Sequence, residues 1–286
     1  MTRRCTQRQF LLNPGKAANN AFVYCLAVAA QRFEIDVLDF IKMSNHLHDA
    51  IYDRAGNAPA FYEHFHKLLA KCMNALRGRW ENFFSSAQTS VVRLETRKAL
   101  VDRLVYIATN PVQDGLVARV DDWPGASGYR ALLSGVPLTA TRPEHFFAND
   151  GTMPAEISLQ LRIPAELGDR EEILAEVQAG VAAVEAQMAD ERARTGRRVL
   201  GRYAVLRQSW RESPTSREPR RNLSPTIAAR CKWALFEAIQ RKRDFTVAYR
   251  KARTAFLLGV PVLFPYGTYW LRRYLGVKTD GAQVSN

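Results

Sequence analysis

The chain has 286 residues, 47% hydrophobic and 24% charged. This composition supports a packed core and excludes wholesale disorder. No apolar run approaches the roughly 18–20 residues of a membrane span. The net charge of +13 is concentrated: residues 192–253 hold 18 Lys/Arg against 4 Asp/Glu, so the rest of the chain is close to neutral.

Arginine grips phosphate with paired N–H donors and stacks on bases, so this stretch points to a nucleic-acid partner; a solubilising face is the alternative. The cysteines Cys5, Cys25, Cys72 and Cys231 make no CxxC pair, which argues against a disulfide framework or zinc ribbon. The opening MTRRCTQRQF lacks the apolar segment of a signal peptide. The expected location is the cytoplasm, with no membrane partner.

In chain order, TRRCTQRQFLL reads as a strand ended by the Asn13-Pro14-Gly15 turn, and AANNAFVYCLAVAAQRF as an apolar, Ala-rich helix. FEIDVLDFIKM alternates as a strand does, and HLHDAIY after Ser44-Asn45 is a second strand, so the two predict a hairpin. APAFYEHFHKLLAKCMNAL predicts a helix ending near Gly78, SSAQTSVVRLE a strand, and TRKALVDRLVYIAT the next helix. The order βαββαβ, then a helix, predicts an α+β fold of ferredoxin-like type: an antiparallel sheet with helices on one face and the other face open. Beyond a boundary near residue 140, acidic residues outnumber basic ones 11 to 2 over residues 144–191, and LGDREEILAEVQAGVAAVEAQMADERAR predicts a long helix. An Arg-rich, Pro-containing connector and a final helix or helix pair follow. Residues 1–140 are thus expected to form one domain, and 141–286 a mostly helical basic region.

Two constellations carry chemistry. In Asn45-His46-Leu47-His48 the two-residue period of a strand puts His46 and His48 on one face, where two imidazoles can grip one divalent ion; ordinary histidines are the alternative. Sixty residues on, Tyr106 and Asn110 lie one helical turn apart on a common face, and Pro111 should end the helix at Asn110. A packed tyrosine and a terminating asparagine would also account for that spacing. A second pair, His64-Phe65-His66 with Cys72 beyond, is a decoy: i and i+2 on a helix point apart, so these histidines should be one exposed and one half-buried.

Together these segments resemble a known family. NHLHDAIYD is similar to the metal motif of the HUH single-strand endonucleases, LVYIATNPVQDGLV resembles the tyrosine motif of REP-associated tyrosine transposases, and VDDWPGASG resembles the segment that trails it. The resemblance covers roughly residues 3–132. It implies that His46, His48 and Asn110 hold Mg²⁺ or Mn²⁺ and that Tyr106 is the nucleophile. The implied activity is endonucleolytic nicking and strand transfer at single-stranded hairpin DNA through a 5′-phosphotyrosine, as in DNA transposition, within the bacterial cytoplasm at the nucleoid.

Three departures stand out. Asp49 occupies a position the family keeps apolar, Gln113-Asp114 replaces a basic pair, and the N-terminal strand lacks the usual opening pattern. The expected DNA contacts are Arg197, Arg198, Arg202, Arg220, Arg221, Arg241, Lys242 and Arg243, with the aromatics Trp80, Phe83, Phe84 and Tyr52 divided between stacking and core. A monomer is expected. The competing functions are a domesticated relative that holds hairpin DNA without cutting it and an RNA-binding module, the latter disfavoured because no strand shows an RNP1-like aromatic pattern.

Overall fold

The computed structural model describes residues 1–216 and 226–280. Its centre is an antiparallel sheet of three strands: β1 (Thr2–Arg4), β2 (Asp36–Lys42) and β3 (His46–Tyr52), in the order β1-β3-β2. Helix α1 (Lys16–Phe33) precedes the β2–β3 hairpin, and α2 (Ala58–Arg77) follows it. The Asp53 carboxylate secures the start of α2 by accepting from the backbone N–H groups of Ala55, Asn57 and Ala58. Gly78, at φ 62°, closes the same helix in the left-handed conformation that a residue without Cβ adopts at little cost.

β3 alternates between two helical layers. Asp49 faces α2 and accepts a 2.7 Å hydrogen bond from the Tyr62 hydroxyl, so this departure from the family pattern is paired, not stranded at an edge. His46 and His48 face α3 (Arg97–Gln113), which packs on the sheet from the other side. Both faces are therefore covered, which corrects the expected one-sided helical layer and open face.

The predicted strand over residues 85–95 also differs. It meets the free edge of β1 without a continuous ladder: Thr2 and Ser90 bridge, Ser85 N–H donates to the Arg4 carbonyl, and just before the segment Cys5 bridges to Phe84. The reason lies in its neighbour. Thr6–Arg8 form a 3₁₀ turn in which Gln7 and Arg8 have positive φ, so β1 ends after three residues and offers only a short edge for pairing. What remains is β4 (Arg93–Leu94), which later pairs in parallel with β7 (Ile227–Ala228). The elements follow in the order β1-α1-β2-β3-α2-β4-α3, but β4 lies outside the three-stranded sheet, so the arrangement is mixed α/β with small sheets.

After α3, a short helix α4 (Tyr129–Ser134) leads to the hairpin β5 (Leu138–Thr141) and β6 (Glu156–Leu159), which packs on α1. Helix α5 (Arg170–Thr195) lies along α3 so closely that a Cβ on Gly180 would meet Val105 Cγ2 at 2.6 Å. Glu172 and Glu176 pair with Arg97, so part of the acidic stretch serves this helix contact. The core does not break at residue 140; it runs through Ile157, Ile173 and Val181 to Val205 on α6 (Arg202–Arg207). A separate small cluster forms around Phe264 between α7 (Lys232–Leu257) and the segment carrying α8 (Tyr269–Leu275). None of the described helices is long and apolar enough to cross a membrane.

Two charged side chains are fully buried on β2. The Lys42 ammonium donates to the Leu12 carbonyl at 2.6 Å, and burial, aided by Arg77, brings its pKa down to about 7. Asp39 accepts from the Phe40 amide, and burial lifts its pKa to about 8. A lysine whose folded pKa is depressed releases its proton on folding, so its destabilising effect is fully present below pH 7 and disappears as the pH rises towards the unfolded value. Lys42→Met is expected to stabilise the protein at pH 6–7 by about 1–2 kcal/mol and to flatten the rise in stability between about pH 7 and 10. Urea unfolding across that range checks this; a less stable variant at pH 7 would mean that the Leu12 contact outweighs the burial of charge.

Candidate functional site

A cleft of about 670 Å³ opens where the turn after β2, strand β3, the N-terminal segment and α3 meet. The pairing of Thr2 with His48 and Arg4 with His46 sets the histidine face of β3 beneath α3. The His46 and His48 rings lie edge to face at 4.8 Å, and the Tyr106 ring stands against His48 at 5.2 Å. Asn110, one turn further along α3, is buried and also lines the cleft. The four residues singled out in sequence are thus brought together.

α3 does not stop at Asn110. It runs to Gln113 with Pro111 inside it, which corrects the expected end. The proline removes one N–H and one turn-back hydrogen bond, but the helix needs only one more turn. The amides of Asp114 and Leu116 close that turn onto the carbonyls of Asn110 and Pro111. Asp114 is thereby carried into the cleft wall.

Each histidine is oriented through Nδ1: His46 against Asn45 Oδ1 at 2.6 Å, and His48 against Thr2 Oγ1 at 2.8 Å. Asn45 Oδ1 can only accept, so His46 carries a proton on Nδ1. His48 Nε2 and Asn110 Oδ1 are buried and have no hydrogen-bond partner. Burial, the neighbouring His46 and nearby cations hold the His48 pKa well below the usual histidine value, so the ring is neutral near pH 7. A neutral imidazole nitrogen and an amide oxygen, both buried and unpaired, form a donor set suited to a divalent cation. Among the described residues there is no group of three or more His, Cys, Asp or Glu that could hold a metal, so the candidate set is the two histidines with Asn110.

Tyr106 is held protonated. Burial raises its pKa first, and Asp114 raises it further, while Arg103, Arg4 and the Asn110 amide pull it down. The Arg103 guanidinium carbon sits 5.1 Å from the ring centroid. Arg4, Arg8 and Arg103 did not stand out in the sequence. Arg8 enters the cleft because the left-handed backbone at Gln7 and Arg8 turns it inward, a conformation that no residue type there advertises. Residues 208–216 form a further wall that sequence reading missed. The Asn13 amide donates to the Gln208 carbonyl, the Phe10 N–H to Glu212, and the Arg8 guanidinium to Ser216.

The expected DNA contacts divide into two groups. Arg197, Arg198 and Arg202 are exposed near the C-terminal end of α3, where Leu200 and Gly201 donate to the Gly115 and Leu116 carbonyls. Arg241, Lys242 and Arg243 are exposed on α7; Arg241 pairs with Glu95 just before α3, and Lys242 donates to the Thr226 hydroxyl. Arg220 and Arg221 lie outside the described residues. Of the aromatics, Phe83 and Phe84 are core, Tyr52 lies under Arg54, and Trp80 is 88% exposed. His64 and His66 are both partly buried; His66 packs between Tyr62 and Phe84, and burial lowers its pKa to about 3, as befits a structural ring.

No protein-family model matches the chain, and no curated protein matches it. One solved structure similar to it is that of a REP-associated tyrosine transposase bound to a REP hairpin. The two share 17% sequence identity with a TM-score of 0.36, over 57% of this chain and 90% of the other.

Because Asp114 opposes ionisation of the phenol, Asp114→Asn is expected to lower the Tyr106 pKa. Ultraviolet titration of phenolate in the variant, with the Tyr106→Phe protein as the reference, checks this; a midpoint that stays put would remove Asp114 from the electrostatics of the site.

Proposed function

We propose that this chain is a metal-dependent nuclease and strand transferase for single-stranded hairpin DNA, with Tyr106 as nucleophile. The observation that carries the reading is the convergence of His46, His48 and Asn110 beside Tyr106, with His48 Nε2 and Asn110 Oδ1 buried and unpaired. The sequence motifs that hold these four residues are those that resemble the transposase family.

His46, His48 and Asn110 would hold Mg²⁺ or Mn²⁺. When bound, such an ion polarises a phosphodiester oxygen and favours the phenolate. The chain's own groups do the rest. Thr2 and Asn45 keep each imidazole turned with Nε2 towards the cleft. Arg4 and Arg103 stabilise negative charge at Tyr106. The Tyr106 oxygen loses its proton to solvent and forms a bond to phosphorus. The bond from phosphorus to O3′ breaks, and O3′ leaves with the electron pair and takes up a proton. The products are a 5′-phosphotyrosine and a free 3′-OH. A second 3′-OH can reverse the step, regenerating the phosphodiester and the phenol without ATP.

A binding protein that no longer cuts is the second reading. It is favoured by Asp114, which works against the phenolate in a place where the resembled family commonly has a basic residue.

End-labelled hairpin DNA incubated with Mg²⁺ or Mn²⁺ separates the two. The expected result is a protein-linked band on a denaturing gel that needs metal and is absent in Tyr106→Phe, while hairpin binding by that variant persists. Tight binding by the native protein with no adduct in either ion would establish the second reading. The orienting role of Thr2 has a separate readout: Thr2→Val is expected to weaken Mn²⁺ binding about 10–100-fold in the absence of DNA, measured by calorimetry.

A further inference from the structure

Tyr106 borders two cavities, and they share no other residue. One is the histidine cleft. The other is a groove of about 410 Å³ on the opposite side of the tyrosine, between α3 and the segment that enters α7. Ala99, Asp102, Arg103 and Tyr106, three to four residues apart along one face of α3, make one wall. Residues 227–230 and Leu235 make the other.

The second wall is built into the fold. β7 pairs in parallel with β4, and the ladder is extended by the Arg93 N–H donating to Thr226 and the Glu95 N–H donating to Ala228. Arg230 pairs with Asp102 at 2.7 Å and Arg241 with Glu95 at 2.6 Å, so both strand and helix are tied to the start of α3. Burial alone would raise the Asp102 carboxyl, but Arg230 and Lys98 outweigh it and hold the group ionised. The lining of the groove is apolar at Leu94, Ala99, Ile227, Ala228 and Leu235; its charged groups are Arg103 and the Arg230–Asp102 pair, a net positive charge of one.

We infer that this groove is a subsite for one arm of the single-stranded DNA, the arm that leaves the reacting phosphate on the side away from the histidines. The inference rests on the function proposed above. A phosphodiester attacked by Tyr106 carries a strand on each side of phosphorus; in-line displacement puts the leaving O3′ opposite the phenol oxygen, while the arm on O5′ stays bonded beside that axis, so the two arms leave phosphorus in different directions. One cleft cannot take both arms in the same direction. Apolar walls with arginines beside them suit bases within and phosphates at the edge, and they read no sequence. The Arg103 guanidinium, over the Tyr106 ring, stands where the two cavities meet. The C-terminal region therefore completes the path of the strand in addition to supplying charge.

The test uses the full-length protein and single strands with one reactive site, lengthened on one side only from about one to about six nucleotides. Affinity is read by fluorescence anisotropy, and adduct yield on a denaturing gel. Lengthening one of the two arms is expected to tighten binding on the order of tenfold. Ala229→Trp, which fills the groove, should abolish that gain. Arg230→Ala should shrink it and reduce the slope of log affinity against log salt by about 0.7, one phosphate contact on a single strand. Circular dichroism of both variants identifies a folding defect; if Ala229→Trp does not fold, the Arg230→Ala salt slope decides. A native protein that binds equally at every length, or variants that keep the full gain or lose affinity equally at all lengths, would overturn the subsite. Length-dependent binding without any adduct would instead overturn the cutting activity and leave the groove as a strand-binding site.

Discussion

The organisation of this protein depends on one strand being sandwiched. β3 has helices on both sides, so its two-residue side-chain period assigns residues to two environments. On the α2 side, Leu47 is packed and Asp49 is buried, with one carboxylate oxygen accepting from the Tyr62 hydroxyl. On the α3 side, His46 and His48 are oriented by Asn45 and Thr2. A register slip of one residue would put the histidines into the core and the carboxylate under Tyr106. The cost of burying polar groups unpaired makes such a slip expensive, so the same burial that stabilises the fold also fixes the chemistry.

The satisfaction of polar groups is uneven, and the pattern is informative. Asn45 and Thr2 complete one nitrogen of each imidazole, while His48 Nε2 and Asn110 Oδ1 are left without partners inside a buried wall. Buried orphans carry a desolvation cost that a chain recovers when something else binds there. Tyr106 shows a related tension. Burial and Asp114 hold the phenol protonated, against two arginines that pull the other way. Under the function proposed above, a phenol suppressed in this way would ionise only when a cation adds positive charge beside it.

Much of this was legible in sequence, for reasons that can be named. Residues 36–52 alternate, pause at Ser44-Asn45 and alternate again, and they form β2 and β3. The pairs His46/His48 and Tyr106/Asn110 have the spacings of a strand and of a helix, so local geometry alone put each pair on one face. What escaped was set at long range. The strand expected over residues 85–95 shrinks to short pairings because β1, the edge it would extend, ends where residues elsewhere, Gln7 and Arg8, turn the chain. The covered sheet face reflects where α3 packs, which periodicity does not report. Trp80 is exposed although its residue type favours burial, and Arg103 gains its role from an approach to Tyr106 within a helix face that reads as ordinary.

The basic residues illustrate the same limit at a larger scale. In the sequence, the positive charge is one continuous stretch; in the fold, it straddles α3. Arg197, Arg198 and Arg202 are held near the C-terminal end of that helix, while Arg230 and Arg241 are tied to Asp102 and Glu95 near its start. A helix of 17 residues is about 24 Å long, and the midpoint of this one carries Tyr106. A flexible strand crossing the tyrosine would therefore meet cations on both sides of the reacting position. Under the proposed function, such a layout would hold the two arms apart and leave the phosphate between them, where the histidines, the amide and the phenol converge.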